Sequence, residues 1–385
     1  MRENFPKPEQ FQKSKGVIID MKNKIVTVTF LVILLGLFIA NVATPAKELS
    51  FGERRRLAQF PNPTAKTVFN AEFMTGFDKY STDQFVAREQ FRGVKTALDR
   101  NVFLKRDTNG LFRVGDSVHT IEYPLREDKV AQMCLRMNTL FDRYLSDMNV
   151  YYSIVPDKNY YLPDDGRYLL MDYDKLVTQM QQGMPQSAIY IDLFGSVEPG
   201  NYYNSDGHWR QETLKPIVDT LYAAMENDTR FDPATYEPQS YSPFYGAYYG
   251  QLAGQAPADT ITWLENDVTR DAVVTSVSHP DRDDLVVYNT DGLGGMDSYD
   301  VYLYGAQPLI SMENTHNPDG KELIIFRDSF GSSLAPVMLE GYSKITLVDL
   351  RYITPELLAS FLEFEDQDVL LLYSTTIINN SDIIR

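Results

Sequence analysis

The C-terminal end of the chain restricts the fold more than any other stretch. ELIIFR (322–327), KITLVDL (344–350) and DVLLLYS (368–374) are short runs that are apolar almost throughout. A strand with one face in water alternates apolar and polar residues; these do not, so both of their faces are predicted to be covered. Helical segments, LAPVMLEGY (334–342) and PELLASFLE (355–363), stand between them. Buried strands separated by helices form parallel βαβ units, so the predicted class is α/β, a mostly parallel sheet flanked by helices. Ligands of such sheets bind beyond the carboxyl ends of the strands. The break DSFGSS, with Ser329, falls at one of those ends.

Upstream the same pattern continues more weakly. Residues 126–148 place Val130, Met133, Cys134, Met137, Leu140, Phe141 and Tyr144 at helical spacing. NVYYSIVP (149–156) and AIYIDLF (188–194) read as strands, and 172–182 and 211–226 as helices. ITWLEN, SVSHPD, LVVYN and YDVYLYG (299–305) look like shorter strands. Residues 231–260, rich in Pro, Tyr, Gly and Ala, are predicted to be a long decorated loop with one short helix. The α/β domain is placed at 101–385, behind a linker at 44–63 and a helical extension at 64–100. Phe69, Phe73, Phe77 and Tyr80 recur at helical spacing in that extension. Their aromatic face is expected to pack on the main domain; an interaction face for assembly is the alternative.

Residues 25–43 carry no charge, and IVTVTFLVILLGLFIA is their core. The run is near the lower limit for crossing a bilayer. It follows a polar tail, 1–24, that contains Lys7, Lys13, Lys15, Lys22 and Lys24. The expectation is a single-pass anchor with the bulk of the chain outside the cytoplasm. A cleaved export signal is the alternative, because NVATPA (41–46) is an equivocal cleavage site. Met21 would give an ordinary export signal if translation began there.

Composition removes several function classes. With 53 acidic against 36 basic residues the net charge is −17, which argues against nucleic acid as the main partner. The single cysteine, Cys134, allows no internal disulfide and no thiolate cluster, and reads as a buried apolar filler. Four histidines leave little room for a metal site. No Walker A motif, dinucleotide fingerprint or HExxH is present, so neither a metal nor a cofactor is expected. Asp291 and Asp297, flanking GLGGM, are a remote candidate for a calcium turn.

Two segments carry candidate chemistry. In Tyr203-Asn204-Ser205-Asp206-Gly207-His208-Trp209 the Asp206 and His208 side chains fall on one side of an extended loop. In Arg327-Asp328-Ser329-Phe330-Gly331 a serine stands at a strand-to-helix turn, where its hydroxyl is exposed and backbone N–H groups can face an oxyanion. A nucleophilic serine needs a base and an orienting group behind it, and His208 and Asp206 supply both. The competing reading is that Asp328 or Ser329 only caps the following helix. His316, in the turn-rich NTHNPDG, is the reserve base. Gly115-Asp116-Ser117 is discounted as a nucleophile because no long buried strand precedes it. His119 beside it is read as a surface residue, and His279 as a turn residue.

These motifs resemble the DHHW family, which is in turn distantly similar to the SGNH-like proteins that O-acetylate alginate. The resemblance covers about residues 50–385. It is carried by GERRRLAQFP (52–61), TDQFVARE (82–89), NSDGHW (204–209), YLYGAQPL (302–309) and, most specifically, IIFRDSFGSSLAPV (324–337). It implies an SGNH-hydrolase-like fold with the motifs in permuted order, and a triad of Asp206, His208 and Ser329. Gly207 stands where the family name expects a histidine. Arg327 precedes the Asp-Ser pair, where relatives often have Lys or Gly, and it could hold an acyl oxyanion or an acidic glycan, or just cover the sheet edge. Gly305, Gln307 and Tyr203 are further candidates for oxyanion or substrate contacts.

The function this implies is acyl transfer to, or ester hydrolysis on, an extracytoplasmic glycan. The partners would be a membrane protein that supplies the acyl donor and an envelope polysaccharide. The alternative is a non-catalytic envelope protein whose groove, aromatic through YSPFYGAYYG (241–250), binds glycan or a partner protein.

Overall fold

A computed structural model describes residues 8–385, with side chains from Met21 onward; residues 1–7 of the expected tail lie outside the described residues. Contacts divide the chain into two units. One takes the chain up to Ser50 together with Arg55–Arg92, the other Phe51–Arg54 with Gly93–Arg385.

The first unit begins with α1 (Pro8–Ala43). Its Met21–Ala43 portion is the one helix among the described residues long and apolar enough to cross a membrane. Two-residue strands β1 (Leu49–Ser50) and β2 (Arg55–Arg56) pair antiparallel. Then come α2 (Ala65–Phe69), opened by a Thr64–Thr67 capping box, and α3 (Glu72–Asp83). The helix α4 (Arg88–Asn101) follows, its residues up to Arg92 counted in this unit and the rest in the second. Asp83 closes α3 by accepting two bonds from the Arg55 guanidinium (2.6 and 2.8 Å) and one from the Ala58 N–H (2.8 Å). The Arg55 bonds hold its carboxyl down at about 2, against a smaller upward push from burial.

The second unit opens with a hairpin, β3 (Leu111–Val114) and β4 (Ser117–Thr120). After α5 (Glu127–Leu140) come β5 (Asn149–Val155), α6 (Tyr173–Gly183), β6 (Ile189–Ile191) and α7 (Lys215–Ala224). A second hairpin, β7 (Glu237–Phe244) and β8 (Asp259–Glu265), encloses α8 (Ala247–Gln251). Next are α9 (Asp267–Asp271), β9 (Val273–Ser276) and β10 (Leu309–Glu313). The chain ends in β11 (Glu322–Arg327), α10 (Phe330–Met338), β12 (Lys344–Val348), α11 (Pro355–Leu358), β13 (Asp368–Ser374) and α12 (Thr375–Asn379).

Seven strands form the main sheet in the order β6-β5-β13-β11-β12-β10-β9. From β6 to β12 every neighbour is parallel; β10 runs antiparallel to β12 and β9 antiparallel to β10. This is the α/β, mostly parallel sheet flanked by helices that the C-terminal runs predict. Side-chain alternation builds two cores. Leu323, Ile325, Leu347 and Leu370 face α7 and α10, whereas Ile324, Phe326, Val369 and Leu371 face α5, α6 and α12.

β11 is where the winding reverses. Its successor β12 lies on one side of it and β13 on the other. The connecting helix α10 belongs to the first core, and Leu358 of α11 to the second. A crevice opens at the carboxyl end of a strand with such diverging connections, and Ser329 is two residues beyond β11.

Several local expectations fail. SVSHPD meets a strand only at Ser276, the end of β9, and LVVYN makes only an isolated bridge at Tyr288. YDVYLYG (299–305) is not a strand. It forms a 3-10 turn and then Leu303, Tyr304 and Gly305, all left-handed (φ +53°, +60° and +71°). Its apolar side chains are buried, yet its backbone bonds go to the 287–289 segment and not to a sheet ladder. Gly305 is required there, because a Cβ would lie 1.8 Å from Asp300 Oδ1. The predicted loop 231–260 contains β7, whose outward side chains kept it from reading as a strand. His119 is not on the surface. Val118 and His119 point inward, and the His119 Nδ1 lies 2.9 Å from Asn159 Oδ1.

Candidate active site

Residues 203–208 form a tight loop closed by the Tyr203 N–H donating to the His208 carbonyl (3.1 Å). Asp259, at the start of β8, holds the loop's shape. Its carboxylate accepts from the Asn204 N–H (3.0 Å), the Ser205 N–H (2.7 Å) and the Ser205 hydroxyl (2.7 Å). Lys158 braces the other side: its ammonium donates to the Tyr203 carbonyl (2.9 Å) and lies over the Tyr248 ring. Burial pushes Lys158 down to about 8, against the upward pull of Asp206 and Asp259.

Within this frame Asp206 Oδ1 accepts from the His208 backbone N–H (3.1 Å) and lies 2.6 Å from His208 Nδ1. Its Oδ2 accepts from the Ala247 N–H (2.7 Å), with the Arg54 guanidinium 3.8 Å away. The carboxyl is only 1 % exposed. Burial alone would push its pKa up. The charge and hydrogen bond of His208, the Arg54 charge and the Ala247 N–H outweigh that and hold it well below the usual carboxylate range.

The other ring nitrogen, His208 Nε2, lies 2.6 Å from Ser329 Oγ, although the two residues are 121 positions apart. Tyr299 fixes the imidazole plane by stacking on it at 4.0 Å between centroids and 15° between planes. The Tyr299 hydroxyl and the Trp209 indole N–H both reach Ser333 Oγ (2.9 Å each), one turn along α10.

Asp328, and not Ser329, caps α10. Its Oδ1 accepts from the Phe330 N–H (3.0 Å) and its Oδ2 from the Ser374 N–H (2.8 Å), tying the turn to the end of β13. Ser329 makes no side-chain cap bond, which leaves its hydroxyl to the imidazole. Among the described residues the Ser329 and Gly207 N–H groups have no hydrogen-bond partner. A cavity of about 180 Å³ opens onto Asp206, Gly207, His208 and Ser329, with Glu122 and Lys158 in its wall. A wider cavity of about 650 Å³ in the first unit is lined by Arg55, Asp78, Lys79, Thr82 and Asp83, with no histidine to serve as a base.

The remaining sequence candidates lie elsewhere. Arg327 is fully buried, donating to the Gly305 carbonyl (3.2 Å) and paired with Asp349 (3.4 Å), so it cannot reach an acyl oxygen or a glycan. The Gly305 N–H is used by the Tyr302 carbonyl (3.1 Å). Gln307 spends its amide on Ser276 Oγ (3.1 Å) and the Tyr304 carbonyl (3.2 Å). Tyr203 packs edge-on against Phe244 in the core. His316 pairs with Asp271 at 2.8 Å on the surface and does not contact Ser329. Asp297 binds Arg54 (2.6 Å) and the Tyr299 N–H (3.0 Å). No group of three or more His, Cys, Asp or Glu side chains converges as metal ligands would, among the described residues. The histidine that the resemblance leads one to expect at position 207 would be crowded there: a Cβ at Gly207 would lie 2.6 Å from the Tyr248 hydroxyl.

Sequence reasoning missed Asp259, Lys158 and Tyr299. Asp259 lies in the run read as a decorated loop (231–260) and Tyr299 in the run read as a strand, so both stand in segments singled out for other reasons.

The sheet order, the serine at the reversal point and the covered faces define a mixed α/β fold around a mostly parallel seven-stranded sheet. A DHHW family protein from Eubacterium siraeum shares it at 18% identity and a TM-score of 0.58, over 72% of this chain and 97% of that one. So does Bacillus cereus PatB1 carrying a sulfonyl adduct, at 13% identity and a TM-score of 0.56, over 70% and 95% of the two chains. PatB1 in a second structure gives 14% and 0.54, over 70% and 96%. No protein-family model matches the sequence, and no curated protein does. The DHHW resemblance read from the motifs is thus met at the level of the fold.

Proposed function

We propose that the chain is a membrane-anchored acyl-transfer enzyme of the cell envelope, working through Ser329, His208 and Asp206. The observation that supports this most is the continuous Asp206–His208–Ser329 hydrogen-bonded line at 2.6 Å per link, opening on a small cavity. In this reading Ser329 Oγ attacks an ester carbonyl carbon and its proton passes to His208 Nε2. The oxyanion is met by the unpaired N–H groups of Ser329 and Gly207, the first at the N-terminus of α10. His208 returns the proton to the leaving alcohol, and an acyl-Ser329 remains. A glycan hydroxyl or water then gives its proton to His208 and takes the acyl group. Asp206 holds the imidazole tautomer throughout.

The cavity volume favours a small acyl group such as acetyl over a long chain. The acceptor would be an envelope polysaccharide and the donor would come through a membrane protein, with α1 keeping the enzyme beside it. That the sulfonyl adduct was obtained on PatB1, of the same fold, is in keeping with a reactive nucleophile here, since sulfonyl groups are captured by activated hydroxyls.

The test is labelling with a sulfonyl fluoride, read by intact mass, alongside turnover of a chromogenic acetate. Wild type is expected to gain one sulfonyl group on Ser329 and to turn over the ester. Ser329→Ala is expected to lose the label and about six orders of magnitude in kcat. Full activity in Ser329→Ala would leave the non-catalytic, glycan- or partner-binding reading in its place.

A further inference from the structure

We infer that α2 and α3 lie in the interfacial layer of the membrane that α1 crosses, with their aromatic face against the lipid. This rests on the anchor reading above and adds a second contact to it. Along α3, Phe73, Met74, Phe77 and Tyr80 fall within one arc of about 120°, taking 100° per residue. Ser81 is the one polar residue inside that arc, and Glu72, Thr75, Asp78, Lys79, Thr82 and Asp83 lie outside it.

In a water-soluble protein such a face is covered, yet no residue of α2 or α3 is buried. Phe60 packs on Phe73, Phe77 and Tyr80 at 6.2, 6.1 and 5.3 Å between ring centroids, and it is itself 57% exposed. Phe69 is 91%, Met74 56%, Val68 52% and Phe77 37% exposed. This is a contiguous aromatic patch, larger than scattered surface apolar residues produce.

What covers it follows from where it is tied. The Val86 N–H, just past α3, donates to Asn41 Oδ1 in the last turn of α1 (2.6 Å). The Lys47 N–H donates to Gln84 Oε1 (2.9 Å), and Gln84 Nε2 donates back to the Lys47 carbonyl (2.8 Å). These bonds hold the end of α3 where α1 runs out of apolar sequence. At 1.5 Å per residue, no part of α3 is more than about 18 Å from that point. Phenylalanine and tyrosine at the exit of a spanning helix, with a polar arc opposite, are the chemistry of an interfacial helix. Exposed Lys47, Lys66 and Lys79 in the same unit can extend to lipid headgroups.

The test uses the full chain in nanodiscs whose lipids are brominated on the acyl chains, near the headgroup to read positions 69, 77 and 82 and near the chain end to read position 30, which falls mid-span, since bromine quenches only nearby tryptophan. The two native tryptophans, Trp209 and Trp263, are buried in the other unit and are subtracted as the wild-type signal. Phe69→Trp is the deciding variant, because a side chain this exposed supports no packing. Phe77→Trp repeats the test on α3, Thr82→Trp reports its polar arc, and Phe30→Trp reports α1. Positions 30, 69 and 77 are expected to lose most of their emission relative to unbrominated discs, and position 82 to keep it. Unquenched emission at 69 and 77 overturns the inference. If position 30 is quenched in that case, the anchor reading survives and a protein partner covers the face; if it is not, the anchor reading fails as well.

Discussion

Among the described residues two Asp–His pairs have nearly the same length, and only one of them has the surroundings of a catalytic site. Asp206–His208 is 2.6 Å and Asp271–His316 is 2.8 Å. Their side chains are 1% and 20% exposed in the first pair, against 60% and 44% in the second. In water such a pair contributes about 0–1 kcal/mol and fixes little. Inside, the weaker screening strengthens the same contact and makes the imidazole's orientation matter. The inner carboxylate also has its second oxygen on the Ala247 N–H, and the inner ring is clamped by Tyr299 and faces a hydroxyl. The outer histidine has spent Nε2 on its aspartate. Proximity of Asp to His is therefore a poor marker by itself. Burial, a satisfied second oxygen and a free ring nitrogen aimed at a serine are the better ones.

The strongest way to break this contrast is to exchange each aspartate for asparagine. Asp206→Asn keeps the shape but removes the acceptor that selects the imidazole tautomer, so kcat on a chromogenic acetate is expected to fall about 10⁴-fold. Asp271→Asn is expected to leave kcat unchanged. Comparable losses in the two variants would mean that burial is not what separates the pairs.

The contrast also predicts what a carboxyl in the same cavity does without a matched partner. Burial, and then the Asp157 charge, push Glu122 up to about 7, only partly offset by Arg126. The folded protein thus binds more protons than the unfolded chain between the ordinary value, about 4.5, and about 7. Stability is expected to fall as pH rises through that window, by up to about 3 kcal/mol, and to level off above it. Glu122→Gln should remove the dependence, melting higher than wild type near pH ~8 and alongside it near pH ~4. Parallel melting curves at both pH values would show that the cavity tolerates a charge as readily as the surface does.

A smaller effect comes from the clamp. Tyr299→Leu removes the ring stacked on His208 and leaves the Trp209–Ser333 bond in place. A loss of about tenfold in kcat with little change in KM is expected, as befits a residue that positions the imidazole without touching substrate. An equal rise in KM would instead make Tyr299 part of the binding surface.

How much of this was readable beforehand differs between the sheet and the site. ELIIFR, KITLVDL and DVLLLYS state their burial in composition, because a strand covered on both faces has no polar positions to spare. The NSDGHW and RDSFG segments were legible for a similar reason, since each packs chemically distinctive residues into a few consecutive positions. The groups that hold them in place were not. Asp259 acts on Ser205 from 54 positions away, and as an isolated aspartate it resembles any surface acid. YDVYLYG had the apolar content of a strand, and only the left-handed turn at 303–305, imposed by packing, gives it another shape. Arg327 looked like a substrate contact because a cation beside a nucleophile suggests an anion. Its position at the inward-facing end of β11 instead turns it to Asp349, a partner just past the end of β12 that its own segment cannot reveal.

The smallest expected effect completes the comparison from the other side. His316→Ala removes the outer imidazole, which is 44% exposed and bonded to an exposed aspartate. The His316 backbone N–H keeps its bond to Asn314 Oδ1 (3.0 Å), so the loop loses no structural support with the side chain. Stability is expected to change by no more than about 0.5 kcal/mol, and kcat on the chromogenic acetate not at all. Because His316 lies in the loop immediately ahead of the nucleophile strand, this variant separates two routes to a reactive serine. If it lost activity while His208→Ala kept it, the serine would be served by a base that reaches it only after the loop rearranges. If His208→Ala alone is inactive, the preformed inner line is the working one.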